Sequence, residues 1–240
     1  MKRFLWMSLL LLWVSMPVGA AAKDLKIRLH VVGGTVSPAP RDDVEYWTAH
    51  LRIYDGQLVR TILDFDKQTI TNMQKRKHLY AVHTFESLRK YAETVRQQLK
   101  NAPPQARKLA GPDEPPVDVK ATGRSEKILG YDAKEYNVSA GRLSATLWVT
   151  DAIDIAARAQ EAAKVDALIG DIRSPGRRLA EARSQIKGLP LRVTATVRLG
   201  TQTITSSNEV VEITEEAPPA DLLTVPNGYV QSEDVKPGMP

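Results

Sequence analysis

The chain has 240 residues, no cysteine, and 33 basic against 28 acidic residues, for a formal net charge of +5. The missing cysteine excludes a disulfide framework, a thiol nucleophile and the lipid-modified cysteine that anchors an exported bacterial lipoprotein. Basic and acidic residues alternate rather than cluster, and aromatics do not interleave with basic runs, which argues against nucleic-acid binding.

Residues 1–22 read as a cleaved secretory signal. Lys2 and Arg3 make a basic start, residues 4–14 are apolar apart from Ser8, and Val18-Gly19-Ala20-Ala21-Ala22 offers small residues to a peptidase. The apolar run is shorter than the roughly 20 residues that span a bilayer, and no later segment reaches that length. The expected mature chain starts at Ala21 or Lys23, carries a net charge of about +3 once Lys2 and Arg3 are gone, and is a free, soluble periplasmic protein with no transmembrane segment.

Strand signals follow. Leu25, Ile27, Leu29 and Val31 alternate with Lys26, Arg28 and His30, a period of two. Residues 44–54 read as one strand with Trp47, Ala49, Leu51 and Ile53 on one face and Tyr46, Thr48, His50, Arg52 and Tyr54 on the other. Asp55-Gly56 turns into residues 58–65, Asp66-Lys67-Gln68 turns into 69–73, and residues 74–77 turn into 79–84, an antiparallel meander. At Thr84 the period changes: Thr84 is a candidate N-cap, and Leu88, Tyr91, Ala92, Val95 and Leu99 form a helical stripe. Residues 102–118 are a Pro-rich loop, either a divider between two similar halves or an excursion from one sheet.

Strands resume over 121–129, 133–138 and 143–149, where Leu143, Ala145, Leu147 and Val149 share a face. A helical insertion spans 151–187. Thr150 or Asp151 is the candidate cap, Ile155, Ala159, Ala162, Val165 and Ile169 are its stripe, Ser174-Pro175-Gly176 interrupts it, and Leu179, Ala182 and Ile186 continue in a second helix. Leu191, Val193, Ala195, Val197 and Leu199 then alternate in a strand whose partner is 202–214, and residues 231–240 are expected to be a disordered tail. Seven to eleven antiparallel strands with helices on one face make one α+β domain over 23–230.

The order of several short motifs resembles a known family. These are an Asp-x-Asp turn, Gly130-Tyr131-Asp132-Ala133-Lys134-Glu135-Tyr136, Leu147-Trp148-Val149-Thr150 before a helix, Leu189-Pro190-Leu191-Arg192 opening a strand, and Val225-Pro226-Asn227-Gly228-Tyr229. Over roughly residues 25–230 they resemble a family of secreted bacterial proteins classed as a domain of unknown function and related to the LolA and LppX lipoprotein and lipid carriers. The resemblance implies a single antiparallel, strongly twisted, unclosed β half-barrel with helices across its concave face and an apolar cavity between. No ligand-binding residue of those carriers maps onto a matching motif here.

Catalytic signals are weak. His30, His50, His78 and His83 do not pair at helical spacing, and His78 and His83 read as opposite faces of one strand, so no metal site is expected. Asp64 and Asp66 read as a pair on one strand face that more simply ends a strand at a turn. Ser139, Ser206 and Ser207 lack a nucleophile-elbow context, Asn137-Val138-Ser139 is a chance sequon, and Gly33-Gly34 lacks the lysine and helix of a phosphate loop. The expectation is therefore a non-enzymatic binding protein, with no catalytic residue, metal or cofactor, that holds a lipid or lipoprotein acyl chain. The expected wall is Trp47, Leu51, Ile53, Phe65, Leu147 and Trp148, and Leu88, Tyr91, Val95 and Leu99 are either plain core or the underside of a lid. The alternative is an envelope scaffold with a filled interior that docks a protein partner.

Overall fold

The computed structural model describes residues 23–33, 39–105, 115–169, 174–233 and 235; the signal segment and most of the Pro-rich loop lie outside them. In chain order the elements are β1 (Leu25–Gly33), β2 (Arg41–Trp47), β3 (Leu51–Asp55), β4 (Val59–Asp64), β5 (Thr69–Gln74), β6 (Leu79–Thr84), α1 (Phe85–Asn101), β7 (Asp118–Ile128), β8 (Tyr131–Ala140), β9 (Leu143–Thr150), α2 (Ala156–Asp166), α3 (Pro175–Arg183), β10 (Leu189–Leu199), β11 (Gln202–Glu215) and β12 (Val230–Gln231). The twelve strands of the described residues form one unclosed sheet in the order β12-β6-β5-β4-β3-β2-β1-β11-β10-β9-β8-β7. Both halves of the chain therefore share a single sheet, joined where β1 pairs with β11. Every pairing is antiparallel except β12 with β6, so the class is α+β with an open, twisted sheet.

The meander β3 to β6 forms where the turn chemistry predicts it. Gln68 and His78, each at φ 52°, close two hairpins of the same loop length in the left-handed conformation. His78 is thus a turn residue and does not share a strand with His83. The residue 44–54 expectation needs a larger correction, because two strands and a reversal stand where one strand was read. The Thr48 side chain accepts from the amides of His50 and Leu51, and the Thr48 amide bonds the Leu51 carbonyl at 2.9 Å. That local hydroxyl–backbone turn folds the chain back. Tyr46 consequently pairs with Ile53, and Trp47 with Arg52. The partners across a ladder share a face, so Leu51 and Ile53 lie on the side opposite Trp47.

Helices cover one face. Thr84 caps α1 as expected, accepting from the Ser87 amide at 3.0 Å. Only Phe85, Leu88 and Ala92 of that helix are buried; Tyr91, expected in the stripe, is 60% exposed. Four alanines of α2, Ala156, Ala159, Ala162 and Ala163, are buried, and their small side chains let the helix lie close against Ile27, Trp47, Leu63, Ile70 and Leu191. Neither Thr150 nor Asp151 caps α2; Ile155 occupies that position without a side-chain bond. Thr150 instead accepts from the Ala152 amide in the approach to the helix. Further along, Ser174 caps α3, whose Ala182 packs with Leu179 and Ile186 over Leu147, Val193 and Ala195.

The other face of β2 to β5 is also covered. Tyr46, Ile53, Ile62 and Met73 form a second core under Leu222, Val225 and Tyr229. Arg60 donates to the Asp221 carbonyl at 3.1 Å, and the Tyr229 ring stacks on His78 with centroids 5.3 Å apart. Residues 231–240 are not wholly a disordered tail: the Ser232 amide bonds the Tyr80 carbonyl at 2.9 Å, and Val235 is fully buried. Pairing with β6 supplies backbone partners at an edge the meander leaves open, which is why the chain holds on there.

Candidate functional site

On the helix-facing side of β2 to β5, the inward positions change character along each strand. Trp47, Leu63 and Ile70 lie under α2, whereas Asp43, Glu45, Tyr54, Thr61 and Asn72 continue the same faces with polar groups. Asp166, the last residue of α2, and Arg183, the last of α3, meet them from the helical layer. Between sheet and helices lies a cavity in two adjoining compartments of about 270 and 280 Å³ that share Thr61, Ile70, Asp166 and Arg183.

The compartment nearer β1 is built around one ion-pair chain. Arg52 donates Nη2 to Glu45 Oε1 at 2.7 Å and Nη1 to Asp166 Oδ2 at 2.8 Å, tying the sheet to the end of α2. Trp47 Nε1 donates to the other Glu45 oxygen at 2.9 Å, and the Arg52 guanidinium sits 5.2 Å from the Trp47 ring centre, within cation–π range. Beside it, Asp43 Oδ2 accepts from the Tyr54 hydroxyl at 2.7 Å and from Arg41 Nε at 3.2 Å. In the compartment nearer α3, Thr61 donates to Asn72 Oδ1 at 3.1 Å, and Ser174, Gly176 and Arg177 form the wall. Arg177 is itself buried, with Nε donating to Glu181 at 3.3 Å.

Electrostatics fix the protonation of this cluster. Burial opposes the charge on Glu45, but the Arg52 guanidinium overrides it and holds the carboxyl below the usual range. Burial equally opposes the charge on Arg52, and Glu45 with Asp166 reverse that, so Arg52 is more firmly protonated than a free arginine. Burial, and then the hydrogen bond to Asp43, raise the Tyr54 phenol well above its ordinary value, so it remains a donor. Arg183 is pushed the other way, by burial and by the like charge of Arg52. Four buried polar atoms of the cavity wall have no hydrogen-bond partner among the described residues: Asp43 Oδ1, Arg52 Nε, Asn72 Nδ2 and Arg183 Nε.

None of the residues expected to bind an acyl chain lines this cavity. Trp47 is fully buried beneath α2, where its Nε1 donates to Glu45 and its ring lies beside Arg52. Leu51 and Ile53 belong to the core on the opposite face. Phe65 packs at the margin of the main core, and Leu88 is buried in it. Val95 and Leu99 are half-buried on α1. Leu147 lies under α3, while its neighbour Trp148, on the other face of β9, packs like Phe65 against the main core, with Arg124 5.9 Å from its ring centre. The structure therefore does not bring these ten residues around one space. Asp64 and Asp66 also diverge: Asp64 accepts from the Lys67 amide at 2.8 Å, and Asp66 pairs with His50 at 2.7 Å. Among the described residues no group of three or more potential ligands gathers as a metal site. The residues missed in the sequence, Asp43, Glu45, Arg52, Asp166 and Arg183, do leave a trace there. Asp43, Glu45 and Trp47 alternate onto one face, a carboxylate pair leading into a core tryptophan.

The family model described as "Domain of unknown function (DUF4412)" matches residues 53–229. No curated protein matches the chain. Among solved structures, PNGF-II in its P21 and C2 crystal forms is similar at a TM-score of 0.44 and 12% identity, covering 88% of this chain and 31% of that one. The chain thus spans about a third of the length of those structures, and a likeness at this level carries no argument about fold or function.

Proposed function

Since the chain belongs to the family described as Domain of unknown function (DUF4412), whose description names no activity, we propose from the geometry that it is a non-enzymatic binding protein whose ligand sits between the sheet and the α2–α3 layer. One observation carries this reading: the cavity wall holds buried donors and an acceptor that find no partner among the described residues. Unpaired buried polar groups cost about 1–3 kcal/mol each, and folded proteins satisfy nearly all of them. A scaffold filled by its own side chains gains nothing from leaving four in one cavity. A ligand or ordered water that completes them supplies the missing partners.

The ligand that fits is amphiphilic. Leu29, Val31, Leu63, Ile70, Ile169 and Leu179 line the same space as the charged groups, so an apolar body is accommodated only together with a polar head. A bare acyl chain would leave the four atoms unpaired. The carrier reading implied by the LolA and LppX resemblance belongs to this proposal in that form, a lipid whose polar end is the buried part, and so do export, periplasmic residence and freedom from a lipid anchor. Compatible with this, no helix among the described residues is long and apolar enough to cross a membrane. Native mass spectrometry of the protein purified from its own source tests the reading. A bound species of discrete added mass, lost in Arg52→Met, is expected. Unliganded protein in every preparation would favour the scaffold.

A further inference from the structure

The two compartments are not equivalent in charge. Across both, four arginines (Arg41, Arg52, Arg177 and Arg183) face three carboxylates (Asp43, Glu45 and Asp166). Arg41 is committed to Asp43, and Arg52 to both Glu45 and Asp166. Arg177 shares Glu181 with Arg178. Arg183 is different: among the described residues it forms no ion pair within 4 Å, its Nε is an unpaired buried donor, and it stands where the compartments join. A second unpaired donor, Asn72 Nδ2, lines the α3-side compartment on a residue only 8% exposed, its Oδ1 already taken by Thr61. The first turn of α3 completes the wall, with Gly176 baring its backbone beside the Ser174 cap.

We infer that the α3-side compartment is a binding site for a singly charged oxyanion, a carboxylate or a phosphodiester, held by Arg183 and Asn72 at the start of α3. The inference rests on the binding function proposed above and names the chemical group bound. Arg183 has no carboxylate within 4 Å among the described residues, which leaves a place for one negative charge beside it, and Asp166 on the same wall disfavours a dianion. A guanidinium offers paired N–H donors that match the two oxygens of either group. The amide of Asn72 adds a donor from the sheet side, and the positive end of the α3 dipole favours the same charge. The apolar neighbours Ile70, Ile169, Leu179 and Ala180 leave room for a carbon body attached to that group. Asp43 Oδ1, unpaired in the other compartment, asks for a donor at the far end of the same ligand, such as a hydroxyl.

The test follows the Arg183 side-chain Nε–H signal by NMR while acetate, dimethyl phosphate or monomeric dihexanoylphosphatidylglycerol is titrated into the ¹⁵N-labelled protein. A saturable shift is expected with at least one probe, and binding followed at the Gly176 backbone amide, which every variant retains, is expected to weaken about tenfold or more in Arg183→Met and Asn72→Leu and less in Arg183→Lys. Arg89→Gln, on the exposed side of α1, controls for diffuse charge and is expected to change nothing. Tighter binding of the phosphatidylglycerol than of dimethyl phosphate assigns the anion to a lipid head; binding led by acetate assigns it to a small acid. If no probe moves the signal, or Arg89→Gln weakens binding as much as Arg183→Met, the anion site is wrong. Should the native protein still carry a ligand mass in that case, the binding function stands and only its anionic character falls; a protein that carries no mass and binds no probe loses both.

Discussion

Arg52 and Arg183 are chemically identical and lie in one cavity, but only Arg52 forms ion pairs among the described residues. Arg52 pairs with two carboxylates, so replacing it with Met strands the buried Glu45 and the half-buried Asp166. Removing one partner of a buried ion pair costs about 3–5 kcal/mol, and that is the loss expected for Arg52→Met in chemical denaturation. Arg183 is half-buried, with its Nε enclosed, and forms no ion pair among the described residues, so Arg183→Met is expected to leave stability unchanged or raise it, while weakening the anion binding inferred above. A destabilisation of Arg183→Met matching that of Arg52→Met would show that both arginines serve the fold. Glu45 makes the cluster pH-sensitive. Its folded value lies below the 4.5 of a free glutamate, so its contribution is complete above about pH 4.5 and is lost as the pH falls through the depressed value. Asp55 and Asp64, depressed by their partners against burial, act in the same direction. Unfolding free energies measured from pH 7 downward are expected to decline below pH 4.5, and less steeply in Glu45→Gln.

At the scale of single elements, α1 separates what a periodic stripe promises from what packing uses. The i, i+3, i+4 spacing places Leu88, Tyr91, Ala92, Val95 and Leu99 near one another, yet the helix buries only Phe85, Leu88 and Ala92, in its first turns. Leu88→Ala is expected to cost about 2–5 kcal/mol, as other buried leucine truncations do, while Tyr91→Ser stays within about 0.5 kcal/mol and Leu99→Ala falls between. Thermal and denaturant unfolding of the three variants checks the gradient. Equal losses at residues 88 and 99 would mean that the far end of α1 is covered. The α2 stripe behaves differently. Ile155, Ala159, Ala162, Val165 and Ile169 are all in the main core as their spacing predicts, because α2 crosses the middle of the sheet, where every turn meets strand side chains.

For the molecule as a whole, the β2–β5 region is buried on both faces, by helices on one and by the C-terminal segment on the other. A chain stopped after Ala217 would bare Tyr46, Ile53, Ile62 and Met73 and reopen the β6 edge. Each buried side chain of this size contributes about 1.5–3 kcal/mol. Loss of Leu222, Val225 and Tyr229 together is therefore expected to lower stability by roughly 3 kcal/mol or more and to produce dye binding or aggregation, read by denaturation and light scattering. An unchanged unfolding curve would show that the outer core holds without its cover.

Sequence alone determined the local features of this protein: the turns at Asp55-Gly56 and Asp66-Lys67-Gln68, the Thr84 cap, the alternation in β1 and β10, and the stripe of Ile155, Ala159, Ala162, Val165 and Ile169. Each depends on residues close together in the chain, where backbone sterics, a capping hydroxyl or a two- or 3.6-residue period acts directly. Tertiary structure alone decided the faces and the site. Whether Ile53 sits with Trp47 or against it depends on a reversal at Thr48 followed by cross-strand pairing. Asp43 and Glu45, read singly, resemble any solvated carboxylates; only the arrival of Asp166 and Arg183 from helices more than a hundred residues away makes their surroundings a cavity. Burial converts a surface charge pattern into recognition chemistry, and burial is set by long-range packing that no local period encodes.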